Sequence, residues 1–251
     1  MGDEQKAEVL GISEGAFHTV AGLAAVAGLC PLIPIPFVDD VIIDRIRRYT
    51  YERVSKVLDA PLADKDARYL TARSTVGLGR ALKTIILWPL KKIIRKIAYV
   101  LSIKSCAEVA AAVFHEGWLF ARAIEQGYVD RDALAAGHHD TVRDLRKALI
   151  FAHHAINPDV TRQAMRAAFG ASRKVVAPLL DGMKGLFQAK NVEDVNLEAA
   201  EEEAAPLRAR IEAELRQHWP LVDELDEALR RGYESLGIPV QQRLPLIPDR
   251  P

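Results

Sequence analysis

Gly15-Ala-Phe-His-Thr-Val-Ala-Gly-Leu-Ala-Ala-Val-Ala-Gly-Leu-Cys-Pro-Leu-Ile-Pro-Ile-Pro-Phe-Val38 is a run of 24 residues without a charged side chain, with His18 taken as neutral. Its first half reads as a helix. Ser13 stands at the N-cap position, Glu14 falls in the first turn, and the chain from Ala16 to Leu29 is apolar on every face. A helix apolar all round belongs either in a protein core or in lipid. Pro31 ends it, and Pro34 and Pro36 hold the next residues in an extended structural turn, because proline fixes its own φ and disfavours helix at the residue before it. About 15 residues of helix at 1.5 Å each give about 22 Å, against the ~30 Å of a hydrocarbon core. The segment would span a bilayer only with distortion. Three placements stay open: a buried core helix, a re-entrant or interfacial hairpin, and a true span.

Outward from this segment, Ala, Leu, Arg, Glu and Lys recur at helical spacing, while alternating Val/Ile/Thr/Tyr runs are scarce. The fold class expected is all-α. A short helix is expected over 6–10, before the apolar one. Asp39 or Asp40 caps a basic helix running to Leu58, and Asp64 opens another through Val76. An amphipathic stretch over 80–102 carries a kink at Pro89, and a helix starting near Ser105 ends at Gly127. Further helices are expected over 131–156, 159–188, 193–219 and 221–236, with Asn157-Pro158-Asp159 as a stop and restart. The domain reading is an apolar and basic helical unit over 1–127, a C-terminal helical bundle or hairpin array over 128–237, and a Pro-rich extended tail over 238–251.

The 251 residues suffice for a sizeable core, and 34 Lys+Arg against 34 Asp+Glu leave no net charge. Residues 41–104 nevertheless hold 15 basic and 5 acidic residues, between two acidic flanks. Such a basic middle meets an anionic lipid surface, an acidic partner, or its own flanks. Within it, Leu90, Ile94, Ile97 and Leu101 follow i, i+4, i+7, i+11 and form one apolar stripe. Lys91, Lys92, Arg95 and Lys96 fall on the other side. With Trp88 and Tyr99 at head-group depth, these are the features of an interfacial helix, and the six residues are the candidate membrane or acidic-partner contact. Each cation near an anionic surface contributes about 1 kcal/mol, about 4 kcal/mol for the four.

No catalytic residue, cofactor site or metal site is legible. His115-Glu116 lacks the second histidine of a zinc-protease helix, since Leu119 occupies its place. His138-His139-Asp140 and His153-His154 would lie some 22 Å apart on one helix, too far for a shared metal. Gly77-Leu-Gly79 follows no strand and is too short for a dinucleotide loop. No small-molecule substrate is indicated, and a nucleic-acid partner is not expected without a motif or aromatic interleaving. Cys30 and Cys106 read as buried reduced thiols. The acidic start lacks a charged-then-apolar leader, and Lys6 stands where a myristoylation signal needs Ser or Thr, so the cytoplasmic side is expected.

Ala24-Ala-Val-Ala-Gly-Leu-Cys-Pro-Leu-Ile-Pro-Ile-Pro-Phe-Val-Asp-Asp40 resembles the bacterial helical domain of unknown function found attached to or beside Era-like GTPases, with EcsC-like proteins as distant relatives. The resemblance covers residues 16–127, with Ala110-Ala-Ala112 in its second part. Pro34, Pro36 and Asp39 are the matching positions, read as a fixed turn and a helix cap. Arg45, Arg47, Arg48 and Arg53 depart from the more apolar helix of that family and favour a surface position over deep insertion. The resemblance implies membrane association in bacteria, a GTPase as protein partner, and no known catalysis. The function expected is a non-enzymatic, peripherally membrane-associated adaptor or organiser at the inner face of the cell membrane. The alternative is a soluble protein-interaction module whose segment 15–38 is its core.

Overall fold

The computed structural model describes residues 8–32, 38–72, 93–172, 176, 178–180, 194–218 and 220–238. The fold is all-α, with one two-stranded hairpin among the described residues. Among the described residues, the helices with both ends described are, in chain order, α1 (Glu14–Leu29), α2 (Val38–Val57), α3 (Asp64–Thr71), α4 (Ile93–Glu125), α5 (Arg131–Ala135), α6 (His139–Ala155), α7 (Asp159–Ala171), α8 (Leu197–Glu203), α9 (Ala205–Leu215) and α10 (Pro220–Glu234). A single 3-10 turn, Cys30–Leu32, ends α1.

The two long apolar sequences form the centre. Ser13 meets Glu125, Gly28 faces Ala110 and Gly117 faces Val20, so α1 and α4 run antiparallel in contact. Small residues let them approach closely: a Cβ added at Gly117 would stand 2.9 Å from both Val20 Cγ2 and Thr50 Cγ2. Phe17 meets Phe114 edge-on at 6.3 Å, and Tyr51 of α2 meets Phe120 at 4.8 Å, an arrangement aromatic pairs favour.

The other helices sheathe this pair. α2 covers α1 and α4 together. α7 lays Phe169 against Gly28, α8 brings Glu201 to Gly22, and α9 brings Arg208 to the same glycine. α10 lies across α6, where the backbone of Ala148 sits 2.6 Å from the Cβ position of Gly232. One buried apolar cluster runs from Leu10 to Tyr233 and crosses the Gly127 turn (φ +70°) between α4 and α5.

Several boundaries differ from the sequence reading. The helix expected over 6–10 is instead an antiparallel hairpin at its described residues, Glu8–Val9 with Ile12–Ser13, closed by Leu10 (φ 51°) and Gly11 (φ 74°). Positive φ at both central residues is the tight turn that matches strand twist. Ser13 precedes α1, but its side chain makes no capping bond; its N–H donates to the Glu125 carboxylate at 3.0 and 3.1 Å. α2 begins at Val38, so Asp39 lies in its first turn rather than at its cap. No new helix starts at Ser105: α4 runs unbroken for 33 residues, about 50 Å, because the helical pairing outweighs the local polarity of Ser102-Ile-Lys-Ser105. The helix expected over 131–156 is split at Gly137 (φ +67°), and that over 193–219 at Ala204, where Pro206 fits only the first turn of the next helix. Pro34 and Pro36, Gly77-Leu-Gly79 and the tail after Ile238 lie outside the described residues.

Candidate functional site

α1 decides how the lipid question is framed. Its 19-residue apolar stretch, Glu14–Leu32, has a mean hydropathy of 1.5, and 78% of the window is buried inside the bundle. Every residue of α1 is buried except Glu14, Gly15 and His18 at its solvent-facing start. In this conformation the helix is apolar all round because protein surrounds it on all sides. The exposed His18 turns its Nδ1 to Glu212 of α9, 2.7 Å away.

The basic middle divides in two. Residues 41–72 hold seven basic and five acidic residues, and the fold sets several of the arginines against carboxylates. Arg47 forms a forked pair with Glu116 of α4 at 2.6 and 2.7 Å, and also reaches Asp44 at 3.3 Å. Burial opposes the charge on Arg47, but Glu116 overcomes it and holds the guanidinium pKa above its ordinary value. Arg48 lies 3.7 Å from Glu52 and 3.9 Å from Asp64, and Arg68 bonds Asp64 at 2.8 Å. Arg45 sits over the Tyr49 ring at 5.9 Å. Arg53 and Arg208 flank Glu201, whose carboxyl burial raises and these two cations lower, leaving it above the ordinary range. Arg47, Arg48 and Arg53 set α2 against carboxylates of other helices, and the segment 41–72 carries a surplus of only two positive charges.

Residues 73–102 hold Arg73, Arg80, Lys83, Lys91, Lys92, Arg95 and Lys96, with no Asp or Glu. Most of the positive surplus is therefore in this segment. Of the candidate contact residues, Trp88, Lys91 and Lys92 lie outside the described residues. Arg95, Lys96 and Tyr99 lie in the first turns of α4, where the structure describes the backbone alone.

Two charged clusters that periodicity did not reveal join distant parts of the chain. Trp118, Arg122 and Glu125 occupy i, i+4 and i+7 on α4 and seize the hairpin backbone. Trp118 Nε1 donates to the Leu10 carbonyl at 2.8 Å, Arg122 donates to the Gly11 carbonyl, and Glu125 accepts from Ser13. Arg122 also grips Asp226 of α10 at 2.7 and 2.8 Å.

The second cluster lies where α2, α4, α6 and α7 meet. His115, 2% exposed, shares a 2.7 Å hydrogen bond between Nε2 and Thr161 Oγ1 of α7. The His153 ring of α6 stands 6.2 Å away, with the Arg47–Glu116 pair beside it. Burial, then His153 and Arg162, push the His115 pKa down to about 3; burial likewise lowers His153, against the pull of Glu116. A hydroxyl beside an imidazole has the makings of an activated nucleophile. Thr161 is 0% exposed, however, so the pair acts here as a core hydrogen bond.

Among the described residues no group of three or more His, Cys, Asp or Glu is placed to hold a metal. Cys30 and Cys106 are buried thiols outside any disulfide, and burial pushes the Cys106 thiol up to about 12. Compared with known proteins, the chain matches no family model, no curated protein and no solved structure.

Proposed function

We propose that this chain is a non-catalytic helical adaptor that docks on an anionic membrane face through residues 73–102 while α1 stays inside the bundle. One observation carries the reading: the arginines of α2 and α3 are matched within the fold, whereas seven cations between 73 and 102 have no acidic residue among them. At helical spacing the sequence of this segment would set Leu90, Ile94, Ile97 and Leu101 opposite its lysines, so that charge attraction and apolar burial act together. The resemblance to the helical domain beside Era-like GTPases adds the inner face of a bacterial membrane as the place and a GTPase as protein partner.

The burial of α1 favours a second reading, a soluble protein-interaction module whose core is α1. Co-sedimentation with vesicles separates the two. Reversing Lys91, Lys92, Arg95 and Lys96 to Glu removes about 4 kcal/mol of attraction, about three powers of ten in partitioning to acidic vesicles. Binding of the parent should weaken from 0.01 M to 1 M salt, as the Debye length falls from about 30 Å to about 3 Å. Equal sedimentation of parent and reversed protein with acidic vesicles, both folded by circular dichroism, would favour the soluble module.

A further inference from the structure

The cluster around His115 has a chemistry that neither docking reading uses. Three helices converge on it: α4 contributes His115 and Glu116, α6 contributes His153 and His154, and α7 contributes Thr161 and Arg162. From α2, Arg47, Asp44 and Tyr51 close the side facing Glu116. The α6–α7 corner is also tied to α10, by a bond from the Asn157 N–H to Glu224 at 2.6 Å. His153 Nδ1 is enclosed with no hydrogen-bond partner among the described residues.

We propose that the meeting point of His115, His153 and Thr161 is an acid-operated release between α4 and the α6–α7 corner, opened when the imidazoles take up protons. With both rings neutral, the joint holds two uncharged side chains and one internal hydrogen bond. With both charged, two cations with ring centres 6.2 Å apart join the largely buried Arg47, with the part-exposed Arg162 at the edge of the joint. The carboxylates there are already engaged. Both oxygens of Glu116 accept hydrogen bonds from the Arg47 guanidinium, and Asp159 lies 3.7 Å from Arg162. With Glu116, the one carboxylate close to His153, already shared with Arg47, the like charges on the enclosed side of the joint repel, and the nearest relief is for α7 and the end of α6 to move off α4.

Proton linkage sets the direction. An imidazole freed to water titrates near ~6.5, while His115 in the closed joint titrates at about 3. The open form therefore binds the extra proton between those values. The closed joint is fully favoured above about pH 6.5 and is lost progressively as the pH falls towards 3. Well below pH 6.5, each such histidine raises the open population about tenfold per pH unit.

Cys106 reports the opening, because Phe169 of α7 packs over Gly28 beside the Cys106 backbone. In full-length protein with Cys30→Ala, the reaction of Cys106 with 4,4′-dithiodipyridine is followed from pH 7 to pH 4 against an unfolded control. The expected result is a rate that, relative to the unfolded control at the same pH, climbs about tenfold per unit below pH 6, with unchanged far-UV circular dichroism. The climb should flatten in His115→Gln, whose amide keeps a partner for Thr161. A flat profile in the parent, an equal climb in His115→Gln, or a parallel loss of helix would overturn the proposal. Should His115→Gln fail to fold at pH 7, His153→Gln on the outer, part-exposed side of the joint decides: a slope equal to the parent's overturns it, and a shallower slope supports it.

Discussion

Replacing Gly28 with Ala asks whether α1 is packed against protein or free to face lipid. A Cβ at Gly28 would stand 2.3 Å from Phe169 Cζ, 3.0 Å from Ala110 Cβ and 3.0 Å from the Cys106 carbonyl oxygen. Ala110 and the Cys106 carbonyl are fixed to the α4 backbone and cannot swing aside, so the Phe169 ring must retreat by about 1 Å through a close-packed core. Alanine gains about 1 kcal/mol over glycine in a helix interior, and overpacking costs about 1–3 kcal/mol. A contact this short puts the cost at the upper end, for a net loss of about 1–2 kcal/mol. In a chain of this size each kcal/mol moves Tm by about 2–4 °C, so a fall of about 2–8 °C is expected. Gly170 on α7 is the matched control, with nothing within 4 Å of its Cβ position. The same substitution there should raise Tm by up to about 4 °C. Thermal melts followed by circular dichroism give both values. Shortening the ring in Gly28→Ala/Phe169→Leu should recover part of the loss, so that the two changes are not additive. A Gly28→Ala protein as stable as the parent would refute the tight crossing of α1, α4 and α7.

The buried contacts carry three further expectations. Glu116→Gln leaves Arg47 charged beneath the surface, with side chains only 14% and 12% exposed in the pair, and should cost about 3 kcal/mol of unfolding free energy by urea titration; a loss under about 1 kcal/mol would mean the pair is solvated. Arg122→Gln removes the grip on Asp226 and Gly11, and should lower the amide-exchange protection of the Val9–Ile12 pairing before that of α1; equal loss in both places would show that the hairpin is no separate attachment. At pH 8 neither Cys30 nor Cys106 should react with a thiol reagent until denaturant unfolds the chain, and prompt reaction of either would show that the core opens readily.

The fold class was legible because apolar residues at helical spacing dominate the chain, and α1 was legible as a helix because its boundary is set by Pro31. Whether α1 faced protein or lipid was not legible: Ala, Gly, Leu and Val serve both, and the answer lies in partners some 80 residues away in α4. The hairpin is hard to see in sequence because Leu10-Gly11 is a weak turn signal. Leu10 accepts a φ of 51° in a structure where its side chain is buried and its carbonyl is held by Trp118. The arginines of α2 resemble a surface patch in sequence because their partners are remote: Glu116 is 69 residues from Arg47. His115 reads in sequence as one half of a failed metal motif, and its true neighbours, Thr161 and His153, come from two other helices. The Trp88–Tyr99 contact remains a reading of sequence pattern, since the side chains that would form it lie outside the described residues.

Quenching of tryptophan fluorescence by brominated lipid tests the central claim most directly. Trp88 belongs to the basic segment, while Trp118 lies at 0% exposure against the α1 core with its indole N–H bonded to Leu10. Two proteins are compared on acidic vesicles, one keeping Trp88 alone (Trp118→Phe, Trp219→Phe) and one keeping Trp118 alone (Trp88→Phe, Trp219→Phe), with sedimentation confirming that each is bound. The account predicts strong quenching of Trp88 and none of Trp118, because the segment 73–102 meets the lipid while α1 and α4 stay closed upon each other. Quenching of Trp118 would contradict it by placing the core in the bilayer, and bound protein with neither residue quenched would contradict the assignment of the docking segment.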